Sequence, residues 1–233
     1  MPQQFEGDLN DAVFWGADLC RAHFRDVDLT GASITHARLI DVDIDATVDR
    51  LVVNGVDVTS FVNAQDRWFP LRTMLRPRDR DGMLATWTAL SEQWAALIDR
   101  AEGLPEERVH QSVGGQWSFV ETLRHLVFAM DKWFTVPILG DAFHPIGIPN
   151  SGSAEFPWPG LDRQARPTLA QALAERTAMG ERFQAQLHSL TNGDLDGEVE
   201  ILENGVVPRA WCYDTVFEEE FWHLRYADRD LAT

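Results

Sequence analysis

Two stretches far apart in the chain carry side chains of complementary chemistry: Trp117-Ser118-x6-His125-Leu126 and Glu219-x3-His223. Both lie in segments that read as helix, and a spacing of four sets Glu219 and His223 on one helical face. An imidazole from one helix facing a carboxylate and an imidazole from another makes three protein ligands. It leaves a fourth position open, the arrangement of a catalytic rather than a structural zinc site. If the three side chains meet, the chain is a metalloenzyme. Glu220, three residues before His223, is an alternative carboxylate ligand, whereas Glu218 in the same acidic run reads as a solvated helix face. Glu121 precedes His125 by four; it either reaches the second ring nitrogen or closes a capping box with Ser118. Arg225, Asp131 and Asp230 are candidates for orienting a substrate or for tying helices together by ion pairs. Trp117, Trp133 and Trp222 read as core residues, and His110, His144 and His188 have no partner at ligand spacing.

The elements that must position these residues are helices. Leu84, Trp87, Leu90, Trp94 and Leu97 recur every three or four residues, and Gly103 then Pro105 end that run. A second helix starts at Ser118 and is expected to run to about Thr135, before Pro137. The Gly/Pro-rich stretch 140–167 is too long for an ordinary connector and is read as shaping the mouth of a pocket. A third helix spans about 168–190 and ends at Asn192-Gly193. A small hairpin is expected over 199–207 around Asn204-Gly205, then a fourth helix over about 210–231. Four helices with long connections make a bundle, which builds its sites between facing helices.

The first fifty residues follow a different rule. Leu9, Phe14, Leu19, Phe24, Leu29, Ile34, Leu39 and Ile44 recur every five residues, and a smaller residue stands two places before each. Neither the helical nor the strand period explains this; a stacked coil does, with the large and small residues turned inward. Leu51 to Val58 then reads as a hairpin turning at Asn54-Gly55 that caps the coil, and residues 59–80 as a connector.

Gly16-Ala17-Asp18-Leu19-Cys20 and Arg21-Ala22-His23-Phe24-Arg25 resemble units of the pentapeptide-repeat family. That resemblance implies a right-handed, four-sided β-helix of about two coils, roughly 10 Å of stack at one inter-strand spacing per coil. Gly115-Gln116-Trp117-Ser118-x6-His125-Leu126 and Glu218-Glu219-Glu220-Phe221-Trp222-His223-Leu224-Arg225 resemble the DinB/YfiT-like superfamily. Its members include mycothiol-dependent maleylpyruvate isomerases and bacillithiol S-transferases. Many members read H-x3-H in the last helix; here Glu219 replaces the first histidine, as in the isomerase branch. The resemblance implies a divalent metal, most simply zinc, on His125, Glu219 and His223. It also implies a mycothiol-like low-molecular-weight thiol as cosubstrate, acting as a metal-bound thiolate in S-transfer to, or isomerisation of, a small electrophile. The expected fold is thus α+β: a quadrilateral β-helix with its capping hairpin over 1–58, a connector over 59–80, and a DinB-like four-helix bundle over 81–233.

Composition excludes several functions. A formal net charge of −17 disfavours nucleic-acid and anionic-membrane binding, both of which need a cationic surface. No apolar run approaches the length of a membrane span, and the amino terminus lacks a basic-then-apolar signal. The expectation is a cytoplasmic protein with a small-molecule substrate, able to pair as a homodimer. Its two cysteines, Cys20 and Cys212, are expected as free thiols, Cys212 as a buried structural one. A competing reading is a non-catalytic metal-binding or protein-interaction module with an acidic repeat surface. Two coils are short for a mimic of duplex DNA, because even a small reader covers several base pairs.

Overall fold

A computed structural model describes residues 5, 7–24 and 27–232. The chain divides into two compact units, Met1–Ala46 and Thr47–Thr233.

In the first unit the five-residue period produces a turn at every second repeat. Ala12, Ala22 and Ala32 each donate a backbone N–H to the carbonyl three residues earlier, at 3.0–3.1 Å. Asp11, Arg21 and Gly31 take positive φ at those turns. Asp8, Asp18 and Asp28 accept from the N–H two residues on, at 2.8–3.0 Å, the local bond that makes Asp a turn former. No strand ladder joins the described residues of this unit.

The second unit opens with the expected hairpin, β1 (Val52–Val53) against β2 (Val56–Asp57). Asn54 and Gly55 both take positive φ, as a two-residue turn requires. This hairpin groups with the helical unit and not with the repeats. The expected connector holds two short helices, α1 (Thr59–Gln65) and α2 (Phe69–Arg72). Then come α3 (Arg80–Glu102), α4 (Glu106–Val109) and α5 (Phe119–Met130), a π turn over Asp131–Thr135, and α6 (Val136–Leu139). After the long loop follow α7 (Leu169–Ser189), a 3-10 turn over Asn192–Leu195, β3 (Glu198–Ile201), β4 (Gly205–Pro208) and α8 (Arg209–Ala232).

Helices α3, α5, α7 and α8 form the bundle. Each packs on two others: α3 and α5 each contact α7 and α8. Helix α3 buries Met83, Trp87, Leu90, Trp94, Leu97 and Ala101, one stripe at helical spacing. Helix α5 is buried at every position except Glu121, its polar Thr122, Arg124 and His125 included. Trp94, Leu123, Phe183, Phe217 and Phe221 meet at the centre with 1% exposure or less. The second helix departs from expectation at its end: it changes to a π turn at Asp131 and resumes as α6 through Pro137. Proline lacks an N–H, but in the first turn of α6 none is needed. Among the described residues no helix is long and apolar enough to cross a membrane.

Candidate metal centre

Helix α5 brings His125 to the centre of the bundle and α8 brings Glu219 and His223. Ser118 starts α5: its hydroxyl accepts from the Glu121 N–H, and the Glu121 carboxylate accepts from the Ser118 N–H, at 2.9–3.2 Å. That capping box sets the helix register two turns before His125. It also settles the role of Glu121, which serves the cap and not the imidazole. Ser118→Ala is therefore expected to cost about 1 kcal/mol in chemical denaturation, as loss of an N-cap does.

His125 is 2% exposed. Its Nδ1 lies 2.9 Å from the Ile148 carbonyl, which can only accept, so Nδ1 carries the proton. The Nε2 atom then faces Glu219 Oε2 at 3.3 Å, and His223 Nε2 approaches the same oxygen at 3.2 Å. Burial acts to raise the Glu219 carboxyl, but the hydrogen bonds and charges of His125 and His223 outweigh it and hold the group well below the usual carboxylate range. The imidazole centroids are 4.6 Å apart, and Trp117 packs beside both, at 4.6 Å from His125 and 5.8 Å from His223. One ligand atom from each of His125, Glu219 and His223 lies within 4.8 Å of the others. This group can hold a metal ion.

The other expected residues lie elsewhere. Glu220 turns away from the trio into the core, where its carboxylate pairs with Arg176 of α7. Burial pushes that carboxyl upward against the pull of the guanidinium. Glu218 accepts from Arg76 at 2.8 Å on the outside of α8. Arg225 lays its guanidinium on the rings of Phe221 and Trp222, at 5.7 and 5.2 Å, and so braces α8. Asp230 pairs with Arg229 at 2.7 Å. Asp131 is fully buried; it accepts from Thr135 Oγ1, from the His144 N–H and from His144 Nδ1 at 2.6–2.9 Å. His144 thus has a partner that ligand spacing does not reveal, and the pair anchors the start of the long loop.

Cys212 is 1% exposed, and burial pushes its thiol up to about 11. Cys20 is exposed, its thiol raised by the Asp18 carboxylate. At about pH 8 a disulfide reagent is expected to label one thiol, Cys20, in the native protein and Cys212 only after unfolding. Two native thiols reacting at equal rates would contradict this.

Sequence reasoning missed the Ile148 carbonyl behind His125 and a polar cluster beside it. A cavity of about 330 Å³ adjoins His125 and Glu219 and is lined also by Phe128, Trp133, Lys132, Ser153 and Glu203. Lys132 donates to Glu203 Oε2 at 2.7 Å, and Ser153 Oγ donates to the same oxygen at 2.6 Å. One available signal pointed here: Lys132 is the chain's only lysine.

Comparison with known proteins agrees with this division of the chain. Eight copies of the pentapeptide repeat match residues 8–44. No curated protein and no solved structure shows significant similarity to the chain. The DinB superfamily matches residues 89–227, which covers α5 and α7 whole, most of α3 and α8, and all three residues of the trio. The chain belongs to the DinB superfamily.

Proposed function

We propose that the protein is a metal-dependent enzyme that joins a low-molecular-weight thiol to a small electrophile, or isomerises an unsaturated acid by reversible thiol addition. The observation that carries this reading is the convergence of His125, Glu219 and His223 at the edge of the 330 Å³ cavity. A cavity of that size is in the range of small-ligand pockets.

The trio suits a divalent metal, zinc above all. Two imidazole nitrogens and one carboxylate oxygen are the donors of open catalytic zinc sites. The Ile148 carbonyl fixes the His125 tautomer so that the Nε2 lone pair is available to a cation. The bound ion would supply acidity, bringing a thiol to its thiolate form near neutral pH. Glu219 would add the negative charge that favours a cation at this group. Phe128 and Trp133 give the cavity a patch of apolar surface. In S-transfer the thiolate forms a bond to an electrophilic carbon and the departing atom takes up a proton. In isomerisation it adds to the alkene, the new single bond rotates, and the thiolate leaves unchanged.

For the repeats, we read the recurring turns as faces of a short right-handed quadrilateral β-helix. The Asp-anchored turns at every second repeat and the eight repeat copies over residues 8–44 support this. Its acidic surface would exclude nucleic acid, in keeping with a cytoplasmic enzyme of small molecules.

The test is consumption of an electrophile by zinc-loaded protein with mycothiol, bacillithiol and glutathione in turn. Turnover with one thiol, abolished by a chelator and restored by zinc, is expected. Full metal binding with no turnover for any thiol would instead support a non-catalytic metal-binding module.

A further inference from the structure

The cavity beside the trio carries a second set of polar groups that metal binding leaves unused. Every cation of the chain except Lys132 is an arginine, and this one ammonium is carried into the cavity wall by the π turn that ends α5. It is 8% exposed, with its Nζ 5.1 Å from the Trp158 ring centre and 5.3 Å from that of Trp133. Glu203 opposes it from the loop between β3 and β4, at a φ of 75°, a left-handed conformation that a glutamate rarely adopts. Ser153, 6% exposed, donates to the same Glu203 oxygen as Lys132 does. Asn150 gives its Oδ1 to the Ser153 N–H at 2.9 Å, which leaves its amide N–H groups as what it offers the cavity.

These bonds sort the wall into acceptor and donor. Both bonds to Glu203 go to Oε2, and Oε1 has no partner among the described residues. Lys132 and Asn150 supply N–H donors close by. Lys132 and Glu203 cancel in charge, so a ligand carboxylate that reached the ammonium would also lie against the Glu203 carboxylate, a repulsive juxtaposition. A neutral amide satisfies both sides, its N–H received by Glu203 and its carbonyl by Lys132 or Asn150. A mismatched ligand would forfeit one of these hydrogen bonds.

We propose that this wall recognises a neutral amide on the polar arm of the thiol cosubstrate, with Lys132 and Glu203 as the specificity-determining residues. The inference rests on the thiol reading above.

A matched pair of ligands tests it: N-acetylcysteinamide and N-acetylcysteine, which differ by an amide in place of a carboxylate. Each is titrated into cobalt-loaded full-length protein, and the sulfur-to-cobalt charge-transfer absorption reports thiol ligation without turnover. The amide is expected to bind about tenfold more tightly. The two thiols also differ in intrinsic acidity, so the deciding quantity is how the ratio responds to Glu203→Gln. Removing that charge frees Lys132 to meet a carboxylate, and the preference is expected to vanish or invert. Equal affinities in the unsubstituted protein, or a ratio that Glu203→Gln leaves unchanged, would overturn the amide assignment alone. Absence of the charge-transfer band with both ligands would overturn the thiol reading and this inference together.

Discussion

His125→Ala and His223→Ala are each expected to lower zinc affinity more than about 100-fold, since loss of a residue that merely supports a metal ligand already costs 10–100-fold. Two ligands cannot close the site that three define. Competition with a chromophoric chelator measures the loss, and far-ultraviolet circular dichroism checks that the helices persist. The bundle core does not depend on the trio: Leu90, Leu123, Phe183 and Phe217 pack without it. His125→Ala also removes the partner of the partly buried Ile148 carbonyl, so a modest loss of stability accompanies it. The same assay separates the two adjacent glutamates. Glu219→Gln should weaken zinc like the histidine variants, and Glu220→Gln should leave it unchanged, because Glu220 faces Arg176 and not the trio.

Arg176→Met is expected to be the most destabilising single change outside the apolar core, by about 3–5 kcal/mol in chemical denaturation. Arg176 is the partner of the Glu220 carboxylate, whose side chain is 3% exposed, and its guanidinium lies 4.4 Å from the Trp94 ring centre. Trp94 in turn donates from Nε1 to the Glu220 carbonyl at 3.2 Å, so α3, α7 and α8 are joined at one point. Removing the guanidinium leaves a carboxylate in the core without a counter-charge. The double variant Arg176→Met/Glu220→Gln should recover most of the loss, because the buried charge goes with its partner. Failure of that rescue would mean that the packing of the arginine stem, and not the ion pair, carries the effect.

The elements legible in the sequence are those governed by local periodicity. The stripe from Leu84 to Leu97, the Ser118 cap, and the four-residue step from Glu219 to His223 each follow from the turn of one helix. The choice of Glu219 over Glu220 depends on which face of α8 meets α5. A helix of 3.6 residues per turn sends neighbouring side chains about 100° apart. What was not legible depends on residues distant in the chain. The oxygen that orients His125 is a backbone carbonyl at Ile148, so no side-chain type announces it. Lys132 and Glu203 meet only because the π turn and the β3–β4 loop flank one cavity. Glu121 stands at a spacing that serves a cap and an imidazole equally well, and the structure shows it in the cap. Pro137 marked a helix end by its missing donor, yet a π turn just before it lets the chain continue as α6.

X-ray absorption at the edge of the metal that the protein retains on purification is the most direct test of the central claim. The spectrum should show two imidazole nitrogens and a carboxylate oxygen at about 2.0–2.2 Å, with one imidazole fewer in each histidine variant. A coordination shell that is unchanged in the His125→Ala/His223→Ala double variant, or that contains no imidazole, would contradict it.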